Sequence, residues 1–215
     1  MKFVAFVSIA VVAVTGAARA ENAGVASVMD WTGYYAGVEA GYVGSDLSFE
    51  GIGEVDGVDY AYDLEGGFGG VYYGVNWQSG NIVYGFDGSL SFGNIEGSID
   101  YGDNEFEDAE ITSFSAARAR VGYSFRNFLV FAAAGFSVGR FEEMFDENGL
   151  IYENDKWLVG YNVGAGIEAK LSENWSARVE YLHVGFRDER LDFGGYEYDY
   201  SIDLNVVRGG IAYQF

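Results

Sequence analysis

The chain contains no cysteine and no proline, one histidine, and only 12 lysines and arginines against 33 aspartates and glutamates. Without cysteine there is neither a disulfide nor a thiolate metal site, and one histidine makes no imidazole cluster, so neither metal nor cofactor is expected. Without proline every strand keeps its backbone donors, as closed hydrogen-bonded ladders favour. The scarcity of bases gives a net charge of −21 and a pI near 4.1. That leaves no basic footprint for nucleic-acid phosphates, and none for docking on anionic headgroups. A long helical hydrophobic run is lacking too: the uncharged stretch from Phe3 to Gly16 falls short of the ~20 residues that span a bilayer.

That stretch follows Lys2 and ends at Ala18-Arg19-Ala20, an A-x-A pattern before Glu21. Residues 1–20 are therefore predicted to be a secretory signal peptide, with Ala18 and Ala20 specifying cleavage. The chain is also 49% hydrophobic and 18% aromatic, too apolar for disorder, so its apolar and charged residues must be segregated.

Alternation segregates them. Past Glu21 there is no convincing 3.6-residue period, while eight segments show a period of two: Tyr34 to Tyr42, Gly67 to Trp77, Tyr84 to Phe92, Ala117 to Tyr123, Val130 to Val138, Val159 to Ala169, Ala177 to Tyr181 and Val207 to Phe215. One parity holds Tyr, Phe, Val and Ala; the other holds Gly, Ser, Asn and the charges. The register of the fifth segment stays open, because both of its parities are apolar. A soluble sandwich or lipocalin-type barrel hides its apolar face, whereas here the apolar rows are continuous and end in aromatics such as Trp77, Tyr84, Tyr123, Trp175 and Tyr213. Such rows suit lipid with interfacial girdles. The expected fold is all-β, an eight-stranded antiparallel transmembrane β-barrel of up-and-down meander topology. Residues 21–32 are expected to form a short periplasmic segment, and residues 33–215 the barrel.

Eight strands give an interior just wide enough for side chains to fill it. The inward parity holds Glu39, Asp87, Glu168 and Glu180 together with Arg118, Arg120, Lys170, Arg178 and Arg208. Buried charges need partners, so these nine are expected to form a charge network that occludes the lumen. A narrow porin-like channel gated by the same residues is the alternative.

Connections alternate between tight (Gln78 to Asn81, Arg126 to Asn127, Ser172 to Asn174) and long (46–65, 96–110, 140–156, 187–203), and the long ones are expected to be extracellular loops. They carry 26 acids against Arg140, Lys156, Arg187 and Arg190. In Asp146-Glu-Asn148-Gly149 the glycine comes too early for an EF-hand loop, so solvated acidic faces are expected, with weak cation bridging to lipopolysaccharide phosphates a lesser reading. Tyr196-Glu-Tyr198-Asp-Tyr200 interleaves aromatics with acids. It reads either as strands protruding beyond the membrane or as an edge that docks a partner. The single histidine, His183, sits on the outward parity. Lipid acyl chemistry with Ser201, Ser45 or Ser48 is the weakest reading, since none lies in a nucleophile motif; no catalytic residue is expected.

The run Asp30-Trp-Thr-Gly-Tyr-Tyr-Ala-Gly-Val-Glu-Ala-Gly-Tyr42 resembles the first strand of the small alphaproteobacterial outer-membrane porin-family barrels, relatives of the OmpA-like and OmpX-like barrels. Ala117-Arg-Ala-Arg-Val-Gly-Tyr123, Val163-Gly-Ala-Gly-Ile-Glu168, Trp175-Ser-Ala-Arg-Val-Glu-Tyr181 and Val207-Arg-Gly-Gly-Ile-Ala-Tyr-Gln-Phe215 resemble later strands of that family. The resemblance implies a non-catalytic protein of the Gram-negative outer membrane that contributes to envelope integrity and surface interaction. Its implied partners are outer-membrane lipid and lipopolysaccharide, a host or surface ligand at the acidic loops, and the assembly machinery, which would read Tyr213 and Phe215.

Overall fold

The computed structural model describes residues 29–52, 59–102, 105–147, 150–186, 189–193 and 196–215, with side chains over 29–45, 65–97, 110–140, 157–186 and 203–215. Alternating residues with few helix formers favour extended backbone, and the described chain is almost entirely strand: β1 Gly33–Ile52, β2 Asp59–Ser79, β3 Ile82–Gly102, β4 Glu105–Phe125, β5 Phe128–Glu147, β6 Leu150–Lys170, β7 Trp175–Phe186, β8 Glu189–Phe193 and β9 Tyr196–Gln214. Neighbours pair antiparallel in chain order from β1 to β7. β7 and β8 then share one edge of β9, and the other edge of β9 pairs with β1. Nine strands thus fill eight places in a closed antiparallel barrel.

The pairing register fixes its shape. Followed once round the barrel, the row Tyr35, Gly74, Asp87, Arg118, Gly135, Asn162, Val184, Leu204 returns to β1 at Ser45, ten residues beyond its start. With a rise of about 3.3 Å per residue and a strand spacing of about 4.8 Å, that stagger tilts the strands by roughly 40°. The interior then has room for side chains and little else.

Parity follows from closure. Tyr34, Val38, Phe86, Phe136, Ile167 and Val179 project outward, while Tyr35, Glu39, Asp87, Arg118, Glu168 and Arg178 are buried inside. In β5, Leu129, Phe131 and Ala133 turn inward and Val130 and Phe136 outward, which settles the register that two apolar parities left open. Trp77 stacks on Tyr84 and Phe125 on Phe128 at the end with the tight turns, where Trp175, Tyr213 and Phe215 also meet edge to face. Arg126 takes a φ of 54° in the two-residue turn between β4 and β5, a conformation such hairpins need.

The long windows are not the loops expected, and over Tyr196–Tyr200 the protruding-strand reading holds. Most of 46–65, 96–110, 140–156 and 187–203 is paired strand: β1 pairs with β2 up to Glu50↔Asp59, β4 with β5 to Glu105↔Glu147, and β5 with β6 to Glu147↔Leu150. The acids therefore ride on hairpin arms. Ladder pairing is a long-range property, and a window dense in acids without clean alternation does not announce it.

Candidate functional site

The inward parity is filled differently at three heights. At the tight-turn end the segment before β1 crosses the barrel mouth. Met29 N–H donates to the Arg126 carbonyl (3.0 Å), Trp31 N–H to Gln78 Oε1 (2.8 Å), and Gln214 Nε2 to the Thr32 carbonyl (2.7 Å). These bonds set Trp31 into the lumen, where it is buried against Val83, Leu129, Phe131 and Ala133 and its Nε1 donates to Ser124 Oγ at 2.9 Å. The ammonium of Lys170 lies 5.3 Å from the Trp31 ring centre.

Above this sit eight charges. Arg118 forks onto Asp87, with Nε to Oδ1 at 2.7 Å and Nη2 to Oδ2 at 2.8 Å, and reaches Glu180 on β7 through Nη1. Arg208 contacts Glu180 at 2.8 Å and donates to Glu39 at 3.0 Å. Arg178 donates to the other oxygen of Glu39 at 2.8 Å and lies 3.7 Å from Asp87. Arg120 donates to Glu168 Oε2 at 2.9 Å and to the Tyr35 hydroxyl at 2.9 Å. Ser176 and Ser91 donate to Glu168 (2.6 Å) and Glu39 (3.1 Å). Four arginines thus meet four carboxylates, all at 6% exposure or less. Hydrogen-bonded pairing is the condition under which buried charge is tolerated.

Rings pack around the network because glycines face them. The Arg178 guanidinium lies 3.5 Å over the Tyr72 ring centre, and Arg120 lies 4.2 Å over that of Phe131. A Cβ at Gly37 would sit 2.8 Å from Tyr72 ring atoms, and one at Gly74 would sit 2.5 Å from Tyr35. Glycine at these two places lets the tyrosines lie across the lumen.

Toward the long hairpins the filling becomes hydrocarbon: Val43, Phe68, Ile95, Ile111, Phe114, Leu158, Leu182, Val184, Phe186, Leu204 and Val206 form one buried cluster. Phe68 meets Phe114 edge to face at 4.9 Å.

The structure therefore brings together Glu39, Asp87, Arg118, Arg120, Glu168, Arg178, Glu180 and Arg208. Lys170 departs from the expected set: it lies below the network, donating to the Glu173 carbonyl (2.9 Å) and to Gln214 Oε1. It is the last residue of β6, so its chain bends to the barrel end rather than across the lumen. The cleavage residues Ala18 and Ala20 lie outside the described residues. Tyr213 and Phe215 face outward at the tight-turn end. His183 is half-buried on the outer wall, with Nδ1 3.3 Å from Asn205 Oδ1 and Nε2 3.5 Å from Asp203 Oδ1. Ser45 is buried on the inner face, on the other side of the wall from His183, so that serine and the histidine form no pair.

The model of the outer membrane protein beta-barrel domain matches residues 6–215. The chain belongs to this outer-membrane β-barrel family. Among its relatives, the 31 kDa outer-membrane immunogenic protein of Brucella melitensis is 30% identical over 240 residues, covering 100% of both chains. The 22 kDa outer membrane protein of Rhizobium leguminosarum bv. viciae is 30% identical over 197 residues, covering 91% of this chain and 83% of that one. Among solved structures, Neisserial surface protein A is similar at a TM-score of 0.49 and 10% identity, over 86% of this chain and 98% of that one. As a member of this family the protein resides in the outer membrane of a Gram-negative bacterium, and the outward rows of Tyr, Phe, Val and Ile are its lipid-facing surface.

Proposed function

We propose that the protein is a sealed, non-catalytic barrel that contributes to envelope integrity and acts at the cell surface through its acidic hairpins. The observation that supports this reading best is the stacking inside the lumen. The four buried arginines and four buried carboxylates form a neutral, mutually bonded layer, with hydrocarbon on one side of it and Trp31 on the other. An ion crossing this column must break several charge-assisted bonds and then shed its water in an apolar zone. The tight turns face the periplasm and the long hairpins the exterior, as in bacterial barrels generally. The hairpin arms meet lipopolysaccharide at their base and other molecules at their tips, and Tyr213 and Phe215 serve recognition by the assembly machinery. The Brucella relatives' names call them immunogenic, which accords with display at the surface.

Reconstituted vesicles test the sealing. Refolded protein in liposomes should leave arabinose-driven swelling at the protein-free rate; faster swelling would support the narrow channel instead. Release of acyl chains from phospholipid or lipopolysaccharide by the purified protein, lost in His183→Ala, would overturn the non-catalytic part.

A further inference from the structure

Two interruptions in strand pairing run from the barrel rim toward the hairpin tips. β2 pairs with β3 no higher than Glu65↔Glu96, although β2 begins at Asp59 and β3 runs to Gly102. β6 pairs with β7 no higher than Gly160↔Phe186, although β6 begins at Leu150, and β8 has β9 as its one neighbour. Among the described residues the wall therefore divides above these points into two four-stranded ribbons. One is β2, β1, β9 and β8; the other is β3, β4, β5 and β6. Within each ribbon the ladders continue, for example to Ile52↔Glu197 between β1 and β9 and to Glu147↔Leu150 between β5 and β6.

Each gap leaves strand edges whose outward backbone groups have no ladder partner among the described residues. The longest belongs to β6, where, among the described residues, Leu150–Val159 pairs with β5 alone over ten residues. That is about 33 Å of open edge. An open edge is a template for another strand, and its occupant is chosen by charge. The four windows that hold these arms carry 26 acids and four bases. A second copy of the chain would bring the same sign and be repelled, whereas a basic strand would be drawn in.

We propose that the free edge of β6, Leu150–Val159, docks an extended, lysine- and arginine-rich segment of a partner protein, which adds to the β3–β6 ribbon as a fifth strand. The proposal rests on the surface role stated above and names the chemistry of its partner. Backbone bonds supply the binding and tolerate varied side chains, while alternate basic residues answer the acidic arms. Binding is therefore salt-dependent.

The test uses the refolded protein in zwitterionic phosphatidylcholine nanodiscs and a synthetic peptide of five Lys-Val repeats. Two further peptides of the same sequence carry backbone N-methyl groups, one on every lysine and one on every valine. The parent peptide should bind, and at least one N-methylated form should bind tenfold more weakly or less, since methylation keeps the charge but removes ladder donors. The chain has no cysteine of its own, so Asn154→Cys on the open edge should trap a peptide whose cysteine is activated as a thiopyridyl disulfide, by exchange that releases thiopyridone. Ser48→Cys should trap at least fivefold less, because β1 is paired on both sides at that position. Equal binding of all three peptides, or equal trapping at the two positions, would show charge attraction without strand addition and overturn the proposal while leaving the surface role intact. No binding of any peptide also overturns it. Vesicle swelling, read on the same refolded protein in liposomes, reports separately on the sealed barrel.

Discussion

Two regions of the same lumen are filled by opposite chemistries. Along β9 the inward residues change from Arg208 to Val206 and Leu204, and along β7 from Arg178 and Glu180 to Leu182 and Val184. The change is made in a single step of two residues on each strand. Below it each carboxylate and each guanidinium is bonded to at least one named partner; above it, beside the Asn162–Ser137 hydrogen bond, shape and volume set the packing. The charged layer specifies which strands face one another, since Arg118 of β4 reaches Glu180 of β7 and Arg178 of β7 reaches Glu39 of β1. The hydrocarbon layer is indifferent to partner identity but excludes water. The two regions should therefore break in different ways.

The largest effect is expected from Glu180→Ala, which leaves Arg118 and Arg208 short of an acceptor. Stability in urea titrations of the micelle-bound barrel should fall by about 3–5 kcal/mol. Replacing both members of a pair sharpens the point: Arg120→Met with Glu168→Met should cost less than either single change, because no unpaired charge remains. In the hydrocarbon layer Leu204→Ala should cost about 2–5 kcal/mol through its cavity, yet Leu204→Met should cost less than about 1.5 kcal/mol. If Glu180→Gln were as mild as Leu204→Met, the contrast between the layers would be lost. Trp31→Phe keeps a ring at the mouth but drops the bond to Ser124, so a loss of about 1 kcal/mol is expected in the same titration. Smallest of all, Val179→Ala on the lipid face should change stability by less than about 1 kcal/mol, because acyl chains take up the space that a packed lumen leaves empty.

The sequence discloses the charged layer better than the hydrocarbon one, and the reason is contrast. Arg118, Arg120, Arg178 and Glu180 stand out against small or apolar neighbours, so a period of two assigns their face directly. Leu182 and Val184 flank His183, and Val206 precedes Val207; there both parities look alike and alternation carries no information. Segments read by alternation consequently stop at Tyr181 and begin at Val207, although β7 runs to Phe186 and β9 begins at Tyr196. Trp31 lies before the first alternating residue, and its place in the lumen depends on bonds it donates to Gln78 and Ser124, 47 and 93 residues away. The signal available in advance was a lone large aromatic between Asp30 and Thr32, next to the first strand. Lys170 shares the inward parity of the network, yet parity does not give height along the barrel, and that is what sets it apart. Of the ribbon arms, Tyr196–Tyr200 reads as strand through its alternation; the others are hidden because their pairing depends on partners distant in the chain, while their local sequence is acid-rich and irregular.

The central claim is that these stacked fillings close the lumen to ions, and single-channel recording tests it most directly, since it resolves pores too narrow to pass sugars. The refolded wild type in planar bilayers should be silent across the voltage range in which the bilayer alone is stable. Reproducible conductance steps from the wild type, altered in size by Glu180→Gln, would contradict the account and make the charged layer a gate.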